Sequence, residues 1–273
     1  MIDEEGVGTR LRPSSSERTH GPVVEEAFGV DVTLWRPPRQ KAFILLPLLV
    51  FVLTLSAFVP ALRCDFIRTG DYDNLLQNPS YRGFSWNNLH WMFTTFYGGN
   101  NYRPLTWISY GFDYALWRTN PLGYHLMNSL LHGLNALLVY VIAVHLLRLV
   151  HPSTAQAIAM DSLALRAGAG VAALLFSIHP LRSEAVAWIS ARGHLLAALF
   201  FLLTIISYLR ATDSAKASSA HWAWFGAALI LYSFSILSQP SGIALPLVLL
   251  TLDFYPLRRW GGSPMQWFGP HAR

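Results

Sequence analysis

The chain has 273 residues, of which 53% are hydrophobic and only 13% charged, with a mean hydropathy of +0.34. A soluble domain carries roughly twice that share of charge, so the composition argues against an ordinary water-soluble globule and for a bilayer. The formal net charge of +5 comes mostly from arginines near the ends of apolar segments; no Lys/Arg run is interleaved with aromatics, which argues against nucleic acid as a partner. The single cysteine, Cys64, rules out an internal disulfide and reads as a hydrophobe at a span end.

Residues 1–40 mix acids and arginines with SSS, GP and RPPR and lack a sustained apolar period. They are expected to form a disordered cytoplasmic tail. The first apolar run, 43–62, begins too late and is too long for a cleaved signal peptide. About twenty such residues cross the hydrocarbon, and Arg36, Arg39 and Lys41 before the run favour a cytoplasmic N-terminus. An external loop is predicted over 63–121, with turn signals NPS and GGNN and two amphipathic stretches, 86–96 and 105–117. These stretches read as interfacial helices or as a small folded loop packed on the spans.

Further spans are predicted at 124–147, 167–178, 195–209, 222–237 and 243–252. Arg148, His151 and Arg166 mark the return to the cytoplasm after the second. The third ends at His179-Pro180 and runs into SEAVAWISARGHLL, an amphipathic re-entry at the outer face; SQPSG breaks the fifth, with Pro240 as the breaker and Gln239 and Ser241 at an outer turn. Many tryptophans fall near span ends, where interface belts sit. The expected fold class is all-α, a polytopic transmembrane helix bundle of about six spans with both termini inside. Its domains are the tail 1–40, a transmembrane domain 41–259 that includes the external loop 63–121, and a short C-terminal tail 260–273.

One span carries a row of polar residues, His125, Asn128, His132 and Asn135. The spacing alternates three and four residues, so all four share one helix face. Such a stripe is costly in lipid and should face protein or a wet cavity. His125 and His132 lie two turns apart, too far for joint ligation by the usual i, i+4 route. Interhelical hydrogen bonding is therefore the favoured reading, no metal site is assigned, and metal dependence stays open.

On this topology the first loop and 179–194 lie on the same side. The loop carries Asp65, Asp71, Asp73 and Arg103; the later stretch carries His179, Arg182, Glu184, Arg192 and His194. A carboxylate beside a membrane can act as general base on a hydroxyl, and arginines can hold a phosphate bidentately. Asp113, in GFDYALW, reads as a helix-surface or interface contact.

The strings GDYDNLLQNP, SWNNLHWMFTTFYGGNNYRPLTWISYGFDYALW, NPLGYHLMNSLLHGLNALL, AALLFSIHPLRSEAVAWISARGHLLAALF and LSQPSGIALPLVLLTLDFYPL, in that order, resemble the N-terminal membrane half of TMTC-type proteins, which carry C-terminal tetratricopeptide repeats. That family is similar to GT-C glycosyltransferases. The resemblance implies transfer of a mannose-like sugar, with inversion, from a polyprenyl-phosphate donor to a hydroxyl of a protein or glycan acceptor. It implies a multi-pass protein in contact with membrane lipid, in a bacterial inner membrane, with no cofactor. The catalytic acid is implied in the first external loop. Gly70 takes one of the family's paired acidic places, leaving Asp71 as expected base and Asp73 as its alternate or the residue that orients the acceptor. Arg192 is the implied phosphate ligand and Arg103 in YRPLTW either a second one or a residue that pins the loop, with His179, Arg182, His125 and His132 as further substrate-binding candidates; Glu184 is expected to position Arg192 or a helix end. Arg182 stands where relatives often have a second His, and Gly193-His194 where they often have Lys-Asp. No tetratricopeptide pattern or further span follows the sixth, so a truncated chain, or a non-catalytic scaffold or inactive fragment, is the alternative expectation. A transporter is a third, supported by no inverted repeat.

Overall fold

A computed structural model describes residues 41–68, 70–96, 102–150, 163–214, 218–257 and 259. These lie within one compact unit, Pro38–Arg273. The expected tails 1–40 and 260–273 lie outside the described residues, as do His151 and the GGNN turn.

Among the described residues the chain is all-helical, as expected, with no strand. Helix α1 is Lys41–Ala57, α2 Trp86–Thr94, α3 Pro104–Trp117, α4 Pro121–Val150 and α5 Leu163–Ile178. They are followed by α6 Arg182–Ala187, α7 Arg192–Asp213, α8 Ser219–Ser238 and α9 Leu245–Phe254. Starts are written in the sequence. Pro104 and Pro121 open α3 and α4, where a missing N–H costs nothing. Ser85 and Ser218 cap α2 and α8 by accepting the N–H of Asn88 and His221.

Helix α4 is the central element. Thirty residues at 1.5 Å rise make it about 45 Å long, more than the roughly 30 Å hydrocarbon layer. Three helical stretches, Pro121–Val150, Ile189–Asp213 and Ser219–Ser238, are long and apolar enough to cross a membrane, and three shorter apolar ones, Ile44–Ala57, Leu163–Ile178 and Pro240–Phe254, accompany them. Of the six expected spans, three correspond to helices long and apolar enough to cross a membrane; the other three are shorter apolar helices that fall below that length, so the count of six is not established. The chain is an integral membrane protein.

Helix α1 turns Ile44, Leu45, Leu48 and Leu49 outward while Val50 and Thr54 face in. Val50 joins Ala136, Tyr140 and Val144 of α4 and Ala169 and Ala173 of α5 in one core. Small residues there let the helices approach closely. Thr54 Oγ1 donates to its own Val50 carbonyl and lies 2.9 Å from Ser177 Oγ on α5. A second core joins Ile142, Ile205, Leu209 and Leu245. The loop before α4 is no surface appendage: Leu75, Tyr81, Met92, Trp107, Tyr110, Tyr124 and Ile189 form an aromatic core of their own. Of the two readings for 86–96 and 105–117, the packed loop holds for α3, whose Thr106, Trp107, Tyr110 and Asp113 are all buried.

Candidate functional site

Two loops remote in sequence meet at one end of α4. Asp71, fully buried, stands before the π-helical turn Tyr72–Leu76. Its Oδ1 accepts the N–H of Ser190 at 2.8 Å and its Oδ2 that of Ile67 at 3.1 Å. Asn74 Nδ2 donates to Ser190 Oγ at 3.3 Å, and the Tyr110 hydroxyl to the Ile189 carbonyl at 2.8 Å. Asp73, on the same turn, is exposed. Gly70 makes the approach feasible. Its φ is +91°, and a Cβ there would come within 2.9 Å of Trp188 Cζ2. Gly70, expected from the resemblance to stand in an acidic place, therefore lies against an indole, in a backbone conformation that disfavours side chains.

The hub of the joint is Arg192, the first residue of α7 and fully buried. Its Nε donates to Asn128 Oδ1 at 2.7 Å, its Nη2 to the Tyr124 carbonyl at 3.0 Å and its Nη1 to the Ser109 carbonyl at 3.5 Å. Nη1 also forms an ion pair with Asp113, itself fully buried. The guanidinium carbon lies 4.7 Å from the Tyr110 ring centroid.

This geometry corrects two expectations. Arg192 does not present an open guanidinium to a phosphate, because its donors are taken by protein acceptors. Of the two roles expected for Glu184, the partner of Arg192 is Asp113 instead, whereas Glu184 does stand in the first turn of α6, at a helix end. Helix α6 ends at Ala187 and the turn Ile189–Ala191 intervenes before α7, so Glu184 and Arg192 share no helix face. Glu184 is exposed instead. Asp113 is correspondingly no surface contact. Its signal was an acid inside the otherwise apolar SYGFDYALW stretch, a placement that in an apolar setting demands a partner. Burial pushes the Asp113 carboxyl above the usual carboxylate range, with Arg192 pulling it part of the way back. Burial likewise pushes the Tyr110 phenol up to about 12 against the opposing pull of Arg192 and Arg103.

The polar stripe of α4 works inside the bundle. Asn128 Nδ2 donates to the carbonyls of Val186 and Trp188 at 3.2 and 3.3 Å, and Asn135 Nδ2 to that of Leu195 at 3.0 Å. His132 Nε2 lies 2.9 Å from the Ser177 carbonyl, with Phe58 edge-on to its ring at 5.2 Å. His125 is fully buried within electrostatic reach of Asp71. Among the described residues no group of three or more His, Cys, Asp or Glu is placed to hold a metal ion.

Two clefts share α6 as a wall. The first, about 320 Å³, is lined by Phe176, Arg182, His194, Ala197, Phe201 and Ser241 among others. The Arg182 guanidinium lies 4.5 Å from the Phe176 ring centroid. Arg103, half-buried and 5.2 Å from the Trp107 ring centroid, is within electrostatic reach of His194. Thr106 Oγ1, donating to the Ser238 carbonyl at 2.8 Å, ties the start of α3 to the end of α8, just before Ser241. The exposed Glu184 is also within electrostatic reach of His194, so among the described residues Arg182 is the one cation in the lining of this largely apolar groove. The second cleft, about 450 Å³, is lined by Ile67, Ser183, Glu184, Ala187 and Trp188. His179 lines neither. It closes an apolar cleft of about 400 Å³ with Val171, Leu174, Leu175, Ile178 and Pro180, and its Nδ1 accepts the N–H of Leu181 at 3.2 Å.

The chain is 36% identical over 147 residues to human protein O-mannosyl-transferase TMTC4, covering 52% of this chain and 19% of that protein. It is 34% identical over 164 residues to Drosophila melanogaster protein O-mannosyl-transferase Tmtc3, covering 57% and 17%. It is 27% identical over 217 residues to human protein O-mannosyl-transferase TMTC2, covering 76% and 24%. The chain therefore spans about a fifth of the length of these relatives. No family model and no solved structure matches it. Through this shared membrane region, the chain is a relative of the TMTC-type proteins.

Proposed function

We propose that this region is the membrane core of a glycosyltransferase that moves a mannose-like sugar from a polyprenyl-phosphate donor to a hydroxyl of a protein or glycan acceptor. The single observation that carries the reading is the meeting of the two loops through Asp71 and Ser190; on the later stretch, Arg182 and His194 line a cleft together with apolar side chains. Arg182 and His194 would hold the donor phosphate, with Arg103 adding to the positive field and Phe176 and Phe201 flanking the lipid chain. Arg192 would hold the loops in register rather than touch the donor.

In this reading the acceptor oxygen attacks the anomeric carbon, with inversion. The bond from that carbon to the phosphate oxygen breaks, polyprenyl phosphate leaves with the bonding pair, and the acceptor proton passes to a carboxylate. Asp71 is the proposed base. Each of its oxygens accepts one amide bond and keeps a lone pair for a hydroxyl. The second cleft lies over Ile67, so access requires Ile67 to part from Asp71. Asp73, exposed beside it, would orient the acceptor.

The test is release of polyprenyl phosphate from polyprenyl-phosphate mannose by the reconstituted protein with a serine- and threonine-containing peptide. Asp71→Asn should abolish it, and Arg182→Ala should raise KM for the donor. Full turnover by Asp71→Asn would remove the base assignment.

A second reading, a non-catalytic membrane scaffold, is favoured by one observation. The acidic place at residue 70 is a glycine packed against Trp188, and the remaining acid, Asp71, is sealed in the joint. Donor binding with no release under any acceptor would support it.

A further inference from the structure

We propose that the second cleft is a binding platform for a neutral pyranose ring, with Trp188 as its aromatic wall and Glu184 and Ser183 as its hydrogen-bonding edge; the choice of a sugar rests on the glycosyltransferase reading.

The two clefts differ in charge although they share one short helix. Arg182 faces the first, whereas Ser183 and Glu184 face the second. The second cleft has a carboxylate and no cation among its lining residues, which disfavours phosphate, sulfate and acidic peptide alike. A carboxylate is an acceptor only, with two oxygens able to take bonds from neighbouring hydroxyls, and a polyol ring supplies such pairs. Glu184 is exposed, so it meets a ligand without losing an internal partner on which the fold depends. The Ser183 hydroxyl donates to the Pro180 carbonyl at 2.6 Å, which leaves its oxygen to accept. Ile67, 46% exposed, and Ala187 add apolar surface for the ring's C–H faces. The size, about 450 Å³, falls in the roughly 300–1,000 Å³ range of small-molecule sites.

The aromatic wall depends on the glycine at residue 70. Trp188 is half-buried, its indole laid against Gly70, where a Cβ would come within 2.9 Å. A side chain at residue 70 would displace the indole from the cleft wall. The absence of a side chain at Gly70 therefore lets the indole form the platform.

The experiment is saturation-transfer NMR with methyl α-mannopyranoside and the detergent-solubilised chain, which needs no turnover. Wild type should transfer saturation to the ring C–H protons. Glu184→Gln and Trp188→Ala should each weaken binding by about tenfold or more, the scale of one lost bond to a charged group. Glu184 is exposed, so Glu184→Gln tests the platform even if Trp188→Ala fails to fold. Ser233→Ala, on α8 and in the lining of neither cleft, should leave glycoside binding unchanged. Competition by polyprenyl-phosphate mannose but not by polyprenyl phosphate would make the ring the donor's sugar; no competition by either would make it a sugar acceptor's. Absent transfer in wild type, or equal binding by wild type and Glu184→Gln, overturns the proposal. Ring binding without release of polyprenyl phosphate would keep the platform and remove the transferase reading, whereas release without ring binding would do the reverse.

Discussion

Asp113 and Arg192 form an ion pair in which neither side chain is exposed to solvent. It joins α3 of the first loop to the start of α7. Removing one partner of such a pair leaves a buried charge uncompensated and costs about 3–5 kcal/mol. Asp113→Ala should therefore lower the thermal midpoint of the solubilised protein sharply. Asp113→Asn should cost less, because its side-chain oxygen still accepts from the guanidinium. Replacing both partners by Leu and Met should recover much of the loss, since well-packed apolar substitutes for a buried pair are often neutral or better. A double variant as unstable as Asp113→Ala would show that Arg192 matters through its bonds to Asn128 and the Tyr124 carbonyl instead.

The Asp71 joint predicts a local effect. Its carboxylate holds the Ser190 and Ile67 amides, and a bond to a charged acceptor contributes roughly 1.5–3 kcal/mol. Asp71→Asn should make exchange at these two amides at least about tenfold faster while amides in the middle of α4 stay protected. Hydrogen exchange read by mass spectrometry on peptides spanning 67 and 190 checks this. Unchanged exchange at both would mean that the joint is held by the Asn74 and Tyr110 contacts.

How much of this was legible in the sequence follows from range. The His125–Asn135 stripe was readable because helical periodicity is local, and the structure turns that face toward α5, α6 and α7. The meeting of the first loop with 179–194 followed from counting apolar runs. The partner of Arg192 did not. Glu184 is near in sequence and Asp113 far, and only the tertiary packing of α3 decides between them. A helix as short as α6 also hides its register, because two flanking turns set which face each residue takes. Gly70 could be marked as a departure, but its left-handed backbone and the indole beside it belong to the fold.

Gly70 predicts intolerance. At φ +91° an L side chain costs about 1–2 kcal/mol in strain before any contact is counted. The Trp188 indole adds a clash. Gly70→Ala should lower the thermal midpoint and shift the tryptophan emission as the indole moves. Gly70→Asp should be at least as damaging and, under the proposed transferase reading, should not raise release of polyprenyl phosphate. Higher release in Gly70→Asp would mean that the indole yields readily and that an acid at residue 70 is usable.

Tyr110 predicts an alkaline transition. Its phenol is fully buried, donates to the Ile189 carbonyl, and is pushed from its ordinary value of 10.0 up to about 12. The sign follows from linkage. A group whose folded pKa lies above its unfolded value favours the folded state fully below the unfolded value, and loses that contribution as pH rises to the folded one. Stability should therefore fall between about pH 10 and 12, by roughly 2–3 kcal/mol for a shift of this size. Burial is the larger cause, because the phenolate would be desolvated between α3 and the 189–191 turn. Tyr110→Phe cannot ionise, so it should start less stable at neutral pH, through the lost bond to Ile189, yet show a shallower decline above pH 10. The check is the denaturation midpoint of both proteins across that range, with phenolate absorbance followed in parallel. An equally steep decline in Tyr110→Phe would assign the transition to another group, with the buried Tyr81, also pushed up by burial, the next to replace.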